Sequence, residues 1–158
     1  MSRELRALFI TAFLALGLAV PARAGPFEDA HAAYAAEDYA TALRLYRAMA
    51  DQGNGNAQFS LGTMYEKGRG VAQDEAMAAK WYRLAAGQGH IQAQYNLAAM
   101  YDNGRGVAQD EVLAHMWFSL AVAHGNPEAA RNRDIVARRM TPAQLTQAQK
   151  LAREWKPD

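Results

Sequence analysis

The chain has 158 residues, of which 51% are hydrophobic, and 17 Arg and Lys stand against 16 Asp and Glu for a net charge of +1. This balance, without a basic stripe, argues against nucleic acid as a partner. The sequence contains no cysteine, which excludes disulfides, thiolate metal sites and cysteine nucleophiles.

The first 24 residues have the pattern of a cleaved signal peptide. Two arginines precede an apolar run at 7–20, and a small-x-small tripeptide follows at 22–24. A membrane anchor is the alternative, but the run is shorter than the roughly 20 residues that span a bilayer. We expect cleavage after Ala24, export to the periplasm or beyond the cell, and no stable membrane insertion of the mature domain at 25–158.

A tandem repeat follows. Segments 53–88 and 89–124 are related by a shift of 36 positions, and 26–52 matches as a partial N-terminal copy. A fixed period of this size indicates one supersecondary unit stacked on copies of itself. The positions of the first full copy that recur in the second are Ala57, Gln58, Leu61, Met64, Tyr65, Gly68 to Glu75, Ala78, Trp81, Leu84 and Ala85.

Each full copy is predicted to be a pair of helices. Apolar residues from Ala57 to Tyr65 follow i, i+4, i+7, i+8 spacing, which places them on one helical stripe. Gly68 and Gly70 suit the left-handed backbone of a helix end and tight turn. Asp74 is a suitable N-cap for the second helix, because its carboxylate accepts free amide hydrogen bonds.

The apolar faces combine small and large side chains. Alanine is frequent, Gly62 aligns with Ala98, and Trp81 and Trp117 occupy equivalent positions. We expect neighbouring helices to approach closely, with both tryptophans buried in the core.

The segment 125–158 departs from the repeat, because Arg133 stands where the earlier copies have leucine. Asn126-Pro127 and Thr141-Pro142 are helix-start signals. We expect the last helix to fold back over the end of the stack as a C-terminal cap. An independent amphipathic helix that binds a membrane or a partner is the alternative.

The repeated motif resembles a known family. The first part of the motif reads Gly-x-x-x-Ala-Gln-Phe/Tyr-x-Leu-Gly/Ala-x-Met-Tyr. It is followed by the segment Gly-Arg-Gly-Val-Ala-Gln-Asp-Glu and then by Ala-x-x-Trp. It is similar to the Sel1-like repeat, a relative of the tetratricopeptide repeat with a longer turn, and the resemblance covers 38–125. It implies an all-α fold, a short α-solenoid that acts as adaptor or regulator by binding other proteins, often in exported bacterial proteins.

The candidate chemical motifs have simpler explanations. The Asp-Glu pairs at 74–75 and 110–111 begin helices, and adjacent helical residues point about 100° apart, so capping is favoured over acid–base catalysis. The Gly-Arg-Gly segments lack the strand and Lys-Ser/Thr of a phosphate loop and are interpreted as turns with exposed arginines. The four histidines form no His-x-x-x-His pair. We predict no catalytic, cofactor-binding or metal site.

A binding surface is predicted on the first helix of each repeat, because first helices line the concave face of helix-pair solenoids. Aromatic side chains would supply anchor area and amides would bind a peptide backbone. The alternative is that Phe59 and Tyr95 only pack between layers. The predicted partner-binding residues are Asn56, Phe59, Thr63, Glu66, Gln92, Tyr95 and Asp102.

Three functions follow from the sequence. The leading prediction is a non-enzymatic module of the bacterial cell envelope that binds another protein or peptide. The second is an envelope enzyme or a binder of cell-wall ligands, related to peptidoglycan or β-lactams. The third is a self-associating structural protein, since 25–124 has seven Arg and Lys against eleven Asp and Glu, whereas 125–158 has seven against four.

Overall fold

The computed structural model describes residues 25–157, and the expected signal peptide at 1–24 lies outside them. All regular secondary structure in this described part is helical, which confirms the all-α prediction. In chain order the helices are α1 (Pro26–Ala35), α2 (Tyr39–Ala50), α3 (Gly55–Lys67), α4 (Glu75–Gly87), α5 (Ile91–Asn103), α6 (Glu111–Ala123), α7 (Pro127–Ala137) and α8 (Pro142–Glu154).

The helices form a stack of consecutive pairs. Each helix from α1 to α6 packs against the next, and α8 packs against α6. The pairs α3–α4 and α5–α6 are the two predicted full repeats, and α1–α2 occupies the segment of the partial one. Within 25–157, none of the helices is both long and apolar enough to span a membrane.

The predicted helix ends of the two central repeats are confirmed. Gly68 and Gly104 end α3 and α5 in the left-handed conformation, with φ of 64° and 65°. Asp74 then caps α4 by accepting a hydrogen bond from the Met77 amide, and Asp110 caps α6 in the same way. Local sequence therefore determines both ends of the long turn.

The second glycine of each Gly-Arg-Gly turn has an additional role. Gly70 has φ of 72°, and a Cβ there would lie 2.8 Å from the Tyr39 carbonyl oxygen of the preceding pair. A Cβ at Gly106 would come even closer to the Glu75 carbonyl oxygen of its own preceding pair. These turns thus touch the start of the preceding second helix, which requires glycine for both conformation and space.

The apolar core has two contiguous parts. The N-terminal part includes Leu61, Met64 and Trp81, and the larger C-terminal part includes Leu97, Met100 and Trp117. Each tryptophan is only 8% exposed, which confirms that both are core residues. The Trp81 Nε1 group is buried without a hydrogen-bond partner among the described residues.

A buried glutamine joins each layer to the next. Gln94 is fully buried, its Nε2 donates to the Ala86 carbonyl at 3.2 Å, and its Oε1 lies 3.0 Å from His124 Nδ1. Gln58 makes the equivalent bonds one repeat earlier. Because these amides are satisfied, they hold the layers in one register without the cost of an unpaired buried polar group.

The C-terminal segment closes the stack, as predicted. Thr141 and Gln144 form a capping box at the start of α8. Ala148 is fully buried, and the Trp155 ring lies 6.4 Å from that of Trp117. At Arg133, where the repeat pattern fails, the side chain is paired with Asp134 at 2.9 Å. The cap therefore replaces a further repeat with a helix that is polar on its outer face.

Candidate functional site

A groove of about 410 Å³ opens along the side of the stack formed mainly by first helices. Helix α1 contributes His31 and Tyr34, and α5 contributes Gln92 and Asn96. The residues that line it from α3 are Phe59, Ser60, Thr63, Glu66 and Lys67, and those from other elements are Tyr46, Arg69 and Tyr82. Three successive layers therefore build one open, mixed polar and aromatic surface.

The structure brings together four of the predicted partner-binding residues. Phe59, Thr63, Glu66 and Gln92 all line the groove. Asn56 instead lines a separate, more open depression together with Gln88, Gly89 and His90. Asn56 lies in the first turn of α3, and helical spacing alone does not show that this turn faces a different depression.

Tyr95 and Asp102 lie outside the groove because the C-terminal helices engage them. The Tyr95 ring packs 5.7 Å from that of Phe118, and its hydroxyl accepts a hydrogen bond from Asn132 Nδ2 at 3.0 Å. Asp102 is ion-paired with Arg139. Phe59 and Tyr95 therefore do not share one surface, and Tyr95 packs between layers.

A hydrogen-bond network holds the middle of the groove. The Tyr82 hydroxyl donates to Glu66 Oε2 at 2.7 Å and lies 3.2 Å from Thr63 Oγ1. Burial raises the pKa of the Tyr82 phenol above its ordinary value, so that the phenol remains a donor. Glu66 also binds Arg105 at 2.6 Å. Glu66, the one carboxylate that lines the groove among residues 25–157, is thus held by two donors from the chain itself.

Phe59 is both a packing and a lining residue. It is half-buried, its ring stacks on His90 with centroids 4.5 Å apart, and it lies 5.6 Å from the Tyr82 ring. His90 accepts a hydrogen bond from the Ala93 amide as the N-cap of α5. The aromatic wall of the groove is therefore coupled to the start of the next repeat.

The turn arginines link consecutive pairs, a role that sequence interpretation missed. Arg105 is 44% exposed, as predicted for a turn residue, yet it binds both Glu66 and Glu75 of the preceding repeat. Arg69 donates instead to the Tyr34 hydroxyl and lines the groove. The 36-residue period was the available signal, but it does not show that a turn reaches back to the preceding layer.

Three consecutive matches to the family model described as Sel1 repeat cover residues 32–54, 55–90 and 91–126. The chain belongs to the Sel1 repeat family. The matched units begin two residues later than the predicted repeats, so they start at the first residue of α3 and of α5. The first match, at 32–54, begins within α1.

Solved structures support the same fold. One is a protective antigen present in uropathogenic Escherichia coli strains that displays an SLR fold, at 34% identity and a TM-score of 0.78 over 82% of this chain and 29% of that one. Another is a Sel1 repeat protein from Oxalobacter formigenes, at 31% identity and 0.64 over 68% and 44%. This Sel1 repeat chain thus spans less than half of either protein. No curated protein matches it.

Two histidines of this Sel1 repeat protein, His90 and His115, lie partly or fully buried in the helical stack. Burial lowers the pKa of His90 and of His115, and Arg133 lowers that of His115 further. Across residues 25–157, the His, Asp and Glu side chains form no group of three that would hold a metal ion.

Proposed function

We propose that this Sel1 repeat chain is a non-enzymatic module that binds a segment of another protein in the groove. The observation that carries the proposal is the groove itself, which three consecutive pairs build from aromatic rings, hydroxyls and amides. Phe59 offers ring surface, whereas Gln92 and Asn96 offer amides that suit a peptide backbone. Family membership supports the proposal, since Sel1 repeats generally mediate protein–protein interaction.

We further propose that the module acts in the bacterial cell envelope, with the periplasm as the leading compartment. The support is the signal-peptide pattern of the first 24 residues. The E. coli structure is described as a protective antigen, a property suited to an accessible, exported protein. Mass spectrometry of the protein from its native host tests this, because a mature chain should begin at Gly25 and fractionate with the periplasm.

Site-specific photocrosslinking tests the groove. We expect p-benzoylphenylalanine at Lys67 or Gln92, both exposed and lining the groove, to capture one common partner. The same group at Lys80, which is exposed on α4 outside the groove, is the matched control.

Equal capture from all three positions would contradict the groove as the binding surface. Co-sedimentation of the mature chain with purified peptidoglycan, without a protein partner, would favour the cell-wall alternative.

Charge placement favours a second candidate, end-to-end self-association. The five acidic residues in and next to the pair α1–α2 are all exposed, and they are Glu28, Asp29, Glu37, Asp38 and Asp51. Four basic residues of the last pair, Arg131, Arg138, Arg153 and Lys156, are exposed and form no ion pair within 25–157. Sedimentation velocity at low salt should then reveal oligomers that dissociate at high salt, because salt screens such contacts. A monomer under both conditions would contradict this candidate.

A further inference from the structure

Arg69, Arg105 and Arg139 lie in the turns that follow α3, α5 and α7, and a pair of carboxylates neutralises each of the last two. Arg105 binds Glu66 at 2.6 Å and lies 3.8 Å from Glu75. Arg139 binds Asp102 and Glu111, which are the same two positions one repeat later. Each arginine therefore bridges the end of one first helix and the start of the next helix, with its charge compensated inside the chain.

Arg69 is the third arginine of this series, and its carboxylates are missing. The two equivalent positions, one period earlier, are Ala30 and Tyr39. Its guanidinium donates to the Tyr34 hydroxyl and lies over the rings of Tyr34 and Tyr39, 5.3 and 5.6 Å from their centroids. Tyrosine rings and a hydroxyl hold the side chain in place but leave its positive charge uncompensated.

The surroundings of Arg69 keep it charged. The hydrogen bond to Tyr34 raises its pKa most, and Glu37 contributes the weakest of the effects on that pKa. Among residues 25–157, no carboxylate lies within ion-pair distance of the Arg69 guanidinium. A fixed arginine with unused donors is suited to bidentate binding of a carboxylate.

Arg69 also faces the place where a ligand would lie. It lines the groove together with Lys67 and His31, whereas the lining carboxylate of Glu66 is bound by Arg105 and the Tyr82 hydroxyl. This side of the groove therefore presents net positive charge. The α5 side presents the neutral amides of Gln92 and Asn96.

We propose that Arg69 is the anion-binding position of the groove and that the partner is an extended peptide segment with an Asp or Glu side chain placed against it. The groove is open to solvent and spans residues of three consecutive layers, so an extended segment can lie along it. The inference rests on the proposed function, since it specifies the chemistry of the partner that the groove binds. Phe59 supplies the apolar contact, and the α5 amides bind the backbone.

Peptide selection tests this proposal. Random peptides displayed on phage and fused through their C-termini carry no free C-terminal carboxylate, so any acidic preference must come from side chains. We expect the folded chain at 25–158 to select peptides with Asp or Glu at one shared position. Replacing that acid by its amide should weaken binding of the synthetic, C-terminally amidated peptide about tenfold, as for a charge-assisted hydrogen bond.

The comparison of variants assigns the preference to one side chain. Arg69→Gln should abolish the difference between acid and amide peptides. Arg83→Gln is the matched control, because Arg83 also donates to a tyrosine hydroxyl, that of Tyr101, at 2.8 Å, but does not line the groove. It should keep the full difference. Circular dichroism of both variants checks that the helical stack is intact.

Each other outcome overturns a defined part of the proposal. Gln92→Trp should block the groove, because Gln92 is an exposed lining residue. Two results would overturn the role of Arg69 and leave the proposed function standing. In one, the selected peptides lose binding to the Gln92→Trp variant but carry no shared acid. In the other, Arg69→Gln keeps the full difference between acid and amide peptides. A preference seen only with a free C-terminal carboxylate would overturn the internal acidic segment. If no selected peptide loses binding to the Gln92→Trp variant, the role of Arg69 and the proposed function are both overturned.

Discussion

The pairs α3–α4 and α5–α6 share their core but differ where they face the groove. Leu61, Met64 and Trp81 recur 36 positions later as the same residue types, equally buried. Around the groove, Tyr82 and Thr63 of the first pair are replaced by Phe118 and Ala99 in the second. The second pair therefore lacks the hydroxyls that form the network with Glu66 in the first.

The difference reflects what each pair packs against. The pair α3–α4 lines the groove together with α1 and α5. In the pair α5–α6, by contrast, α6 is covered by α7 and α8. Tyr95 is consequently held by Phe118 and Asn132, although its counterpart Phe59 lines the groove. The neighbours of each copy thus decide whether its equivalent side chains line the groove or pack against the C-terminal helices.

The largest expected effect comes from removing the shared core. Trp81→Ala should lower the free energy of unfolding by about 3–5 kcal/mol, because it leaves a large cavity. Trp117→Ala should cost a similar amount, with additional loosening of α8 through the Trp155 contact. Urea unfolding monitored by circular dichroism measures both.

Trp81→Phe is the control for the tryptophan prediction. It keeps a ring and removes the unpaired Nε1 group, so its cost should be clearly smaller than that of Trp81→Ala. A loss of unfolding free energy below about 1 kcal/mol for Trp81→Ala, beside a large loss for Trp117→Ala, would contradict the equivalence of the two cores.

A smaller effect is expected at Gly62, where the two pairs differ in packing. A Cβ at Gly62 would lie 2.5 Å from Cδ1 of the Tyr82 ring, whereas the second pair accommodates Ala98 near Phe118. Gly62→Ala should destabilise the fold by about 1–3 kcal/mol through overpacking. In a Tyr82→Phe background the cost should fall, because the ring is no longer held by Glu66 and can shift. Thermal unfolding of the single and double variants measures this coupling.

The reverse substitution checks the packing argument. Ala98→Gly should lower stability by about 1 kcal/mol, mainly through helix propensity. Additive costs for Gly62→Ala and Tyr82→Phe would show that the hydroxyl does not fix the ring.

The smallest expected effect is a pH dependence at the start of α5. The equivalent N-caps at 54, 90 and 126 are Asn54, His90 and Asn126, so only the middle one titrates. Burial lowers the pKa of His90 in the folded state, so the unfolded chain binds its proton first. Its contribution to stability is therefore complete above the unfolded pKa of about 6.5 and is lost as the pH falls below it towards the folded value.

His90→Asn should reduce this dependence while keeping the cap. Unfolding measured at pH values on both sides of 6.5 should show a shallower slope for the variant, with the remaining slope due in part to His115, whose pKa is also lowered by burial. An unchanged slope would mean that His90 does not titrate between the two states.

Much of the fold follows from local sequence, and less of the groove does. The glycine turns, the Asp74 cap, the buried Trp81 and the folded-back C-terminal helix agree with prediction, because each depends on spacing or on caps within a few residues. The groove depends on which layers meet. Arg69 was assigned only to a turn, and Tyr95 was placed on the binding surface, because helical spacing does not show what approaches from another pair.

The sequence by itself determined a helical stack with a 36-residue period, its helix ends and its core, since these depend on periodicity and hydrogen bonds between near neighbours. Only the tertiary structure decided which side chains share a surface. It neutralised Glu66 with Arg105 from the next turn, engaged Tyr95 with Asn132 of α7, and left Arg69 at the groove with no paired carboxylate among residues 25–157. Such pairings join residues more than 30 positions apart, and the geometry between layers selects them.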